Sequence, residues 1–179
     1  MAVSVTAIAE ALRDCLCTAL ADSPGGPVCQ CCIRPGMAPP PADVCCDCGE
    51  GQGQAAVQLA EIYPSDKFPR KGIAEWKGAC TKGNTFWVAE LVMTVYRCIS
   101  VMDDDGNPPT CDQDQTDAAR IWSDAEVMRS VFVCCDWALG RKVMPGSWQP
   151  LPNAGGCGGG MMSVFVNLGV QCCPAEPEG

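Results

Sequence analysis

Sixteen cysteines among 179 residues, about 9% of the chain, constrain this sequence more than any other feature. At that density in a short chain, a disulfide scaffold or a metal site is the leading explanation. The cysteines are unevenly placed. Six fall between Cys29 and Cys48, and four adjacent pairs occur: Cys31-Cys32, Cys45-Cys46, Cys134-Cys135 and Cys172-Cys173. Neighbouring side chains on a strand or helix point in different directions, so each adjacent pair can serve two partners.

The most specific local pattern is Cys29-x2-Cys32, then twelve residues, then Cys45-x2-Cys48. Four thiolates so arranged can hold a tetrahedral zinc, because a short turn aims two sulfurs at one point. The intervening loop is shorter than the usual ribbon spacing, and Cys31 and Cys46 are left over beside the site. Disulfides between the two arms of a hairpin explain the same residues and are the preferred reading, with structural zinc at Cys29, Cys32, Cys45 and Cys48 as the alternative.

Several function classes drop out. The chain has no histidine, which removes imidazole triads and the usual catalytic zinc sites. Its formal net charge of -9 lacks the basic footprint of a nucleic-acid binder, and suits either plain solubility or a channel that lets DNA slide. The Cys-x-x-Cys pairs sit in a proline-rich stretch, not at the helix N-terminus that would activate a redox thiolate. Asp103-Asp104-Asp105-Gly106-Asn107 lacks the ligand spacing of a calcium loop and reads as a solvated turn. Gly155-Gly156-Cys157-Gly158-Gly159-Gly160 lacks the lysine of a phosphate loop and reads as a flexible connector. Trp76, Trp87, Trp122, Trp137 and Trp148 are dispersed, which suits core or subunit-interface anchors. The expectation is a non-enzyme with neither catalytic residues nor a cofactor.

The N-terminus has no basic segment, and Glu10, Arg13 and Asp14 interrupt the apolar stretch that a secretion signal needs, so none is expected. No apolar run approaches the roughly 20 residues that span a bilayer. Thiol-rich synthesis in the cytoplasm fits a particle that is later released into an oxidising medium.

One domain over residues 1–173 is expected, with a Cys-rich hairpin insertion at about 28–53 and a flexible tail over 174–179. Val5, Ile8, Leu12, Leu16 and Ala19 recur at helical spacing behind Ser4, a candidate cap. Cys15 and Cys17 fall on different faces of that helix, being about 200° apart. Ala55 to Tyr63 predicts a strand with Val57, Leu59 and Tyr63 on one side, and the segment from Asp66 to Gly83 a loop. Thr85 to Ile99 is the best strand, with Trp87, Leu91, Met93, Val95 and Ile99 on one face. A second helix is predicted behind Thr116 or Asp117, with a core face of Ile121, Ala125, Met128, Phe132, Cys135 and Leu139 and a stop at Gly140. On that face Cys135 is either a bridge or a small buried hydrophobe. Two closing strands follow, around Val143 to Leu151 and Met161 to Leu168. The fold class is therefore α+β, a mostly antiparallel sheet with two main helices packed on it.

Read as an ordered string, the opening helix, Glu61-Ile62-Tyr63-Pro64-Ser65 with Phe68-Pro69, and Trp87-Val88-Ala89-Glu90-Leu91 running to Arg97-Cys98 resemble a known family. So do Ala118-Ala119, Asp124, Gly146-Ser147-Trp148-Gln149-Pro150 and Gly155-Gly156-Cys157-Gly158-Gly159. Over roughly residues 1–170 the chain resembles the tail-terminator and neck proteins of long-tailed bacteriophages, on element order and scattered residues more than on a tight motif. The resemblance implies a tail-terminator-like fold with both helices on one side of the sheet. It implies a virion structural protein, assembled in the host cytoplasm, whose homohexameric ring closes the tail tube and joins the head-side connector. Tube and connector proteins would then be its partners, with DNA passing through the lumen and no membrane involved. Another head-tail joining protein (stopper or adaptor) and a stand-alone disulfide- or zinc-stabilised binding module remain alternatives.

Overall fold

A computed structural model describes residues 4–36, 53–73 and 85–170. Helix α1 spans Val5–Ala21, and the hydroxyl of Ser4 accepts a hydrogen bond from Ala7 N at 3.1 Å, satisfying one of the donors a helix start leaves unpaired. Ile8, Leu12, Leu16 and Leu20 repeat every four residues on one stripe of this helix and are buried. They pack on a five-stranded sheet made of β1 (Gln30–Arg34), β2 (Gln54–Ser65), β3 (Phe86–Cys98), β4 (Val143–Ala154) and β5 (Cys157–Gly169). Helix α2 spans Cys111–Cys134 and completes the layer.

The strand order is β1-β2-β3-β5-β4, with β1 parallel to β2 and every other neighbour antiparallel. This is the α+β architecture expected from the sequence, with a mixed sheet that is mostly antiparallel. One core joins the helices to one face of the sheet. Ile8, Leu12, Leu16 and Leu20 of α1 and Met128 and Val131 of α2 meet Val57, Leu91, Met93, Val95, Val164 and Val166. Each such side chain contributes about 1.5–3 kcal/mol by leaving water.

Four local expectations are corrected. Residues of the block at 28–53 that looked irregular or hairpin-like include a strand, β1, whose parallel pairing Gln30↔Gln54 through Arg34↔Gln58 is not that of a hairpin. The rest of that block, 37–52, lies outside the described residues, as do most of the predicted loop (74–84) and the tail (174–179).

Val57, Leu59 and Tyr63 do not share a face. A bulge between Leu59 and Glu61 inserts one residue, leaving Leu59 39% exposed and putting Tyr63 with Glu61 beside Glu90.

Helix α2 starts at Cys111, ahead of Thr116. Thr110-Cys111-Asp112-Gln113 forms a capping box in which Gln113 N donates to Thr110 Oγ1 at 3.3 Å and Thr110 N donates to Gln113 Oε1 at 2.8 Å. Asp112 and Asp114 in the first turn complement the positive helix end. The helix stops at Cys135, whose backbone is extended, and its fully buried positions are Asp124, Met128 and Val131. Leu139 lies beyond the helix at φ 52° and is 44% exposed.

The glycine run is no flexible connector. Gly155 and Gly156, both at positive φ, make the two-residue turn of the β4–β5 hairpin, and Gly158, Gly159 and Gly160 sit in β5 opposite Arg97, Tyr96 and Val95. A Cβ at Gly159 would collide with the carbonyl oxygen of Val95, and one at Gly160 with the Trp148 ring. The run permits close approach of backbone and indole.

Candidate functional site

Two cystines converge on helix α1. Cys15 of α1 bonds Cys135 at the end of α2 across 120 residues, with Cα atoms 6.2 Å apart. Cys17 bonds Cys31 of β1, with Cα atoms 6.0 Å apart. The divergent faces of Cys15 and Cys17 are thus used, one toward each neighbour. Helix α1 is covalently tied to α2 on one side and to the sheet edge on the other. Cys29, Cys98 and Cys157 are also disulfide-bonded, while Cys32, Cys111 and Cys134 carry free thiols. In the two adjacent pairs that are described, one cysteine is bridged and the other is free: Cys31 with Cys32, and Cys135 with Cys134.

Two of the four candidate zinc ligands fall on described residues. Cys29 is in a disulfide, Cys32 is a free thiol on β1 that accepts from Arg34 Nε at 3.4 Å, and Cys45 and Cys48 lie outside the described residues. Among the described residues no group of three or more Cys, Asp or Glu side chains is placed to hold a metal ion.

A buried ion pair ties the sheet to α2. Arg97 of β3 is fully buried, as is Asp124 of α2 to within 2%. The guanidinium donates to both carboxylate oxygens, Nε to Oδ2 at 2.8 Å and Nη2 to Oδ1 at 2.7 Å. Its Nη1 donates to the carbonyl of Pro27 at 3.4 Å, and Gly25 packs so closely that a Cβ there would lie 3.0 Å from both partners. The turn after α1, the central strand and α2 therefore meet at one bidentate contact. Both residues appear in the family-like string, but no periodicity argument marks them as partners.

On the sheet face away from the helices, Glu61 and Glu90 are direct cross-strand partners, a like-charge pairing that is unfavourable alone. Lys71 answers it, hydrogen-bonding Glu61 and standing 3.7 Å from Glu90, while Ser163 donates to Glu90 at 3.0 Å. Hydrogen bonding to Glu61 raises the Lys71 pKa. Burial, then the Glu90 charge, raises that of Tyr63, whose hydroxyl donates to the Pro69 carbonyl at 2.6 Å. These contacts fasten the segment 66–73 to the sheet.

Of the tryptophans, Trp137 is 1% exposed and meets Phe132 edge to face at 5.8 Å, an anchor of the core. Trp122 is 65% exposed on α2, on the stripe that also carries Glu126, Arg129 and Val133, the last 84% exposed. Trp76 lies outside the described residues. A cleft of about 520 Å³ separates Ile99 and Ser100 from the start of α2, where Asp117 accepts from Ser100 N at 2.7 Å. A second, of about 410 Å³, lies between α1 and α2. No helix among the described residues is long and apolar enough to cross a membrane. Comparison with models of protein families and with curated proteins returned no match.

Proposed function

We propose that this protein is a virion structural protein, a tail-terminator-like ring subunit that closes the tail tube of a long-tailed bacteriophage and joins it to the head-side connector. The observation that carries the reading is the layer itself. Two helices lie on one face of a mostly antiparallel sheet in the order helix, strands, helix, two strands, the arrangement implied by the resemblance, and they are held by cystines and a buried ion pair. A rigid layer with an exposed tryptophan on its outer helix suits a part that stacks against copies of itself. In this reading the chain turns nothing over and needs no cofactor; the acidic composition keeps DNA mobile in the lumen.

Native mass spectrometry and negative-stain imaging of the purified chain test it. A closed ring, six-fold by the resemblance, is the expected result. A monomer at high concentration, with no ring after tube protein is added, would overturn it. A stopper or adaptor would also form a ring, and is told apart by binding the connector but not the tube protein. The disulfide-stabilised binding module is favoured by the two cystines around α1 and predicts the monomer.

A further inference from the structure

Three cysteines line the cleft of about 410 Å³ between α1 and α2: Cys15, Cys135 and Cys134. The first two share a disulfide, and the third is a free, exposed thiol on the residue adjoining one of them. We infer that they form a thiol–disulfide exchange unit, in which Cys134 competes with Cys135 for Cys15 and gives the α1–α2 staple two positions. The inference does not depend on the ring reading.

Reach permits it. The Cα atoms of Cys15 and Cys135 are 6.2 Å apart, and consecutive Cα atoms are about 3.8 Å apart. Cys134 therefore lies no more than about 10 Å from Cys15, and an adjustment of roughly 3 Å brings it within disulfide range even in the least favourable case. Cys134 is the last residue of α2, while Cys135 has left the helix at φ −139° and ψ 134°. Helix ends fray, so the needed movement falls where the backbone yields most easily.

The chemistry balances without an outside oxidant. The Cys134 thiolate attacks Cys15 Sγ, a Cys15–Cys134 bond forms, the Cys15–Cys135 bond breaks, and the electron pair leaves on Cys135 Sγ, which takes up the proton that Cys134 lost. Packing sets the direction. Trp137, two residues beyond Cys135, is held in the core against Phe132, so the bond to Cys135 is the resting one and the bond to Cys134 requires the segment after α2 to shift. Any contact that moves that segment would bias the pair.

Disulfide mapping decides the matter. The oxidised full-length chain is held at pH 7 or pH 8.5, quenched with acid, blocked with N-ethylmaleimide, and analysed by proteolysis with tandem mass spectrometry. The expected result is a main Cys15–Cys135 species and a minor Cys15–Cys134 species that appears several-fold faster at the higher pH, as the thiolate fraction grows. In Cys135→Ser the Cys15–Cys134 bond should replace the native one; in Cys134→Ser only the native bond should remain. A folded Cys135→Ser chain in which Cys17–Cys31 is intact but Cys15 and Cys134 are both blocked would overturn the inference. Should Cys135→Ser fail to fold, the wild-type chain decides alone: no Cys15–Cys134 species at pH 8.5 sinks the idea.

Discussion

Arg97 and Asp124 show how much one pair of side chains can decide. Neither charge has access to water, so each depends on the other for solvation, and removing one strands its partner. Arg97→Ala or Asp124→Ala should cost about 3–5 kcal/mol in chemical denaturation. Arg97→Lys should recover little, because an ammonium cannot reproduce the two-pronged contact. The exposed turn at Asp103 makes the opposite point. Hydrogen bonds from Asn107, side chain first and then backbone, hold the Asp103 carboxyl below its ordinary value of 3.8. A carboxyl whose pKa is depressed by folding supports the fold above its unfolded value and loses that support as pH falls through the folded one. Asn107→Ala should therefore move the Asp103 titration upward, a shift read by carboxyl NMR, and the small loss of stability that goes with it is present at neutral pH and disappears in acid.

At the scale of elements, α1 is pinned from two sides by loops of very different length. Opening Cys17–Cys31, whose ends are 14 positions apart in sequence, should cost about 3 kcal/mol, and opening Cys15–Cys135, whose ends are 120 apart, about 4–5 kcal/mol. Denaturation of Cys17→Ser and Cys15→Ser chains under non-reducing conditions checks the order; equal losses would show that strain, not loop length, governs. The β4–β5 hairpin carries its own test. Gly159→Ala forces a methyl against the Val95 carbonyl, a backbone atom that cannot rotate away, and should cost about 1–3 kcal/mol as overpacking. The outer edge strand, β4, is interrupted by Pro145, Pro150 and Pro152, which remove donors and discourage another strand from adding there. Association through the helix face is the route left more open, and it is the face that presents Trp122.

For the whole molecule the consequence is an assembly prediction. On the proposed ring reading, with α2 as the subunit contact, Trp122→Ala should leave the melting temperature and the cystines unchanged while breaking rings into smaller species on native mass spectrometry. Rings that survive that change would place the contact elsewhere. The mixed sheet is a whole-chain feature: β1 lies parallel to β2 on the sheet edge, where its Cys31 is bonded to Cys17 of α1.

Features that depend on neighbours along the chain are legible in the sequence. Ser4 ahead of a four-residue apolar repeat makes α1, the alternation from Leu91 to Val95 makes the central strand, and two cysteines spaced two apart on a helix must look to different partners. Even the start of α2 is local, in Thr110-Cys111-Asp112-Gln113, a capping box that lies ahead of the cap expected at Thr116. Features that depend on residues far apart along the chain emerge in the folded packing. Which cysteine meets Cys15, which carboxylate meets Arg97, where a bulge turns Tyr63 to the other face, and why the glycines of β5 must be glycines are set by how the two helices and strands β2, β4 and β5 pack about β3. Arg97 and Asp124 are 27 residues apart and Cys15 and Cys135 120 apart, and no local periodicity encodes a partner at those distances.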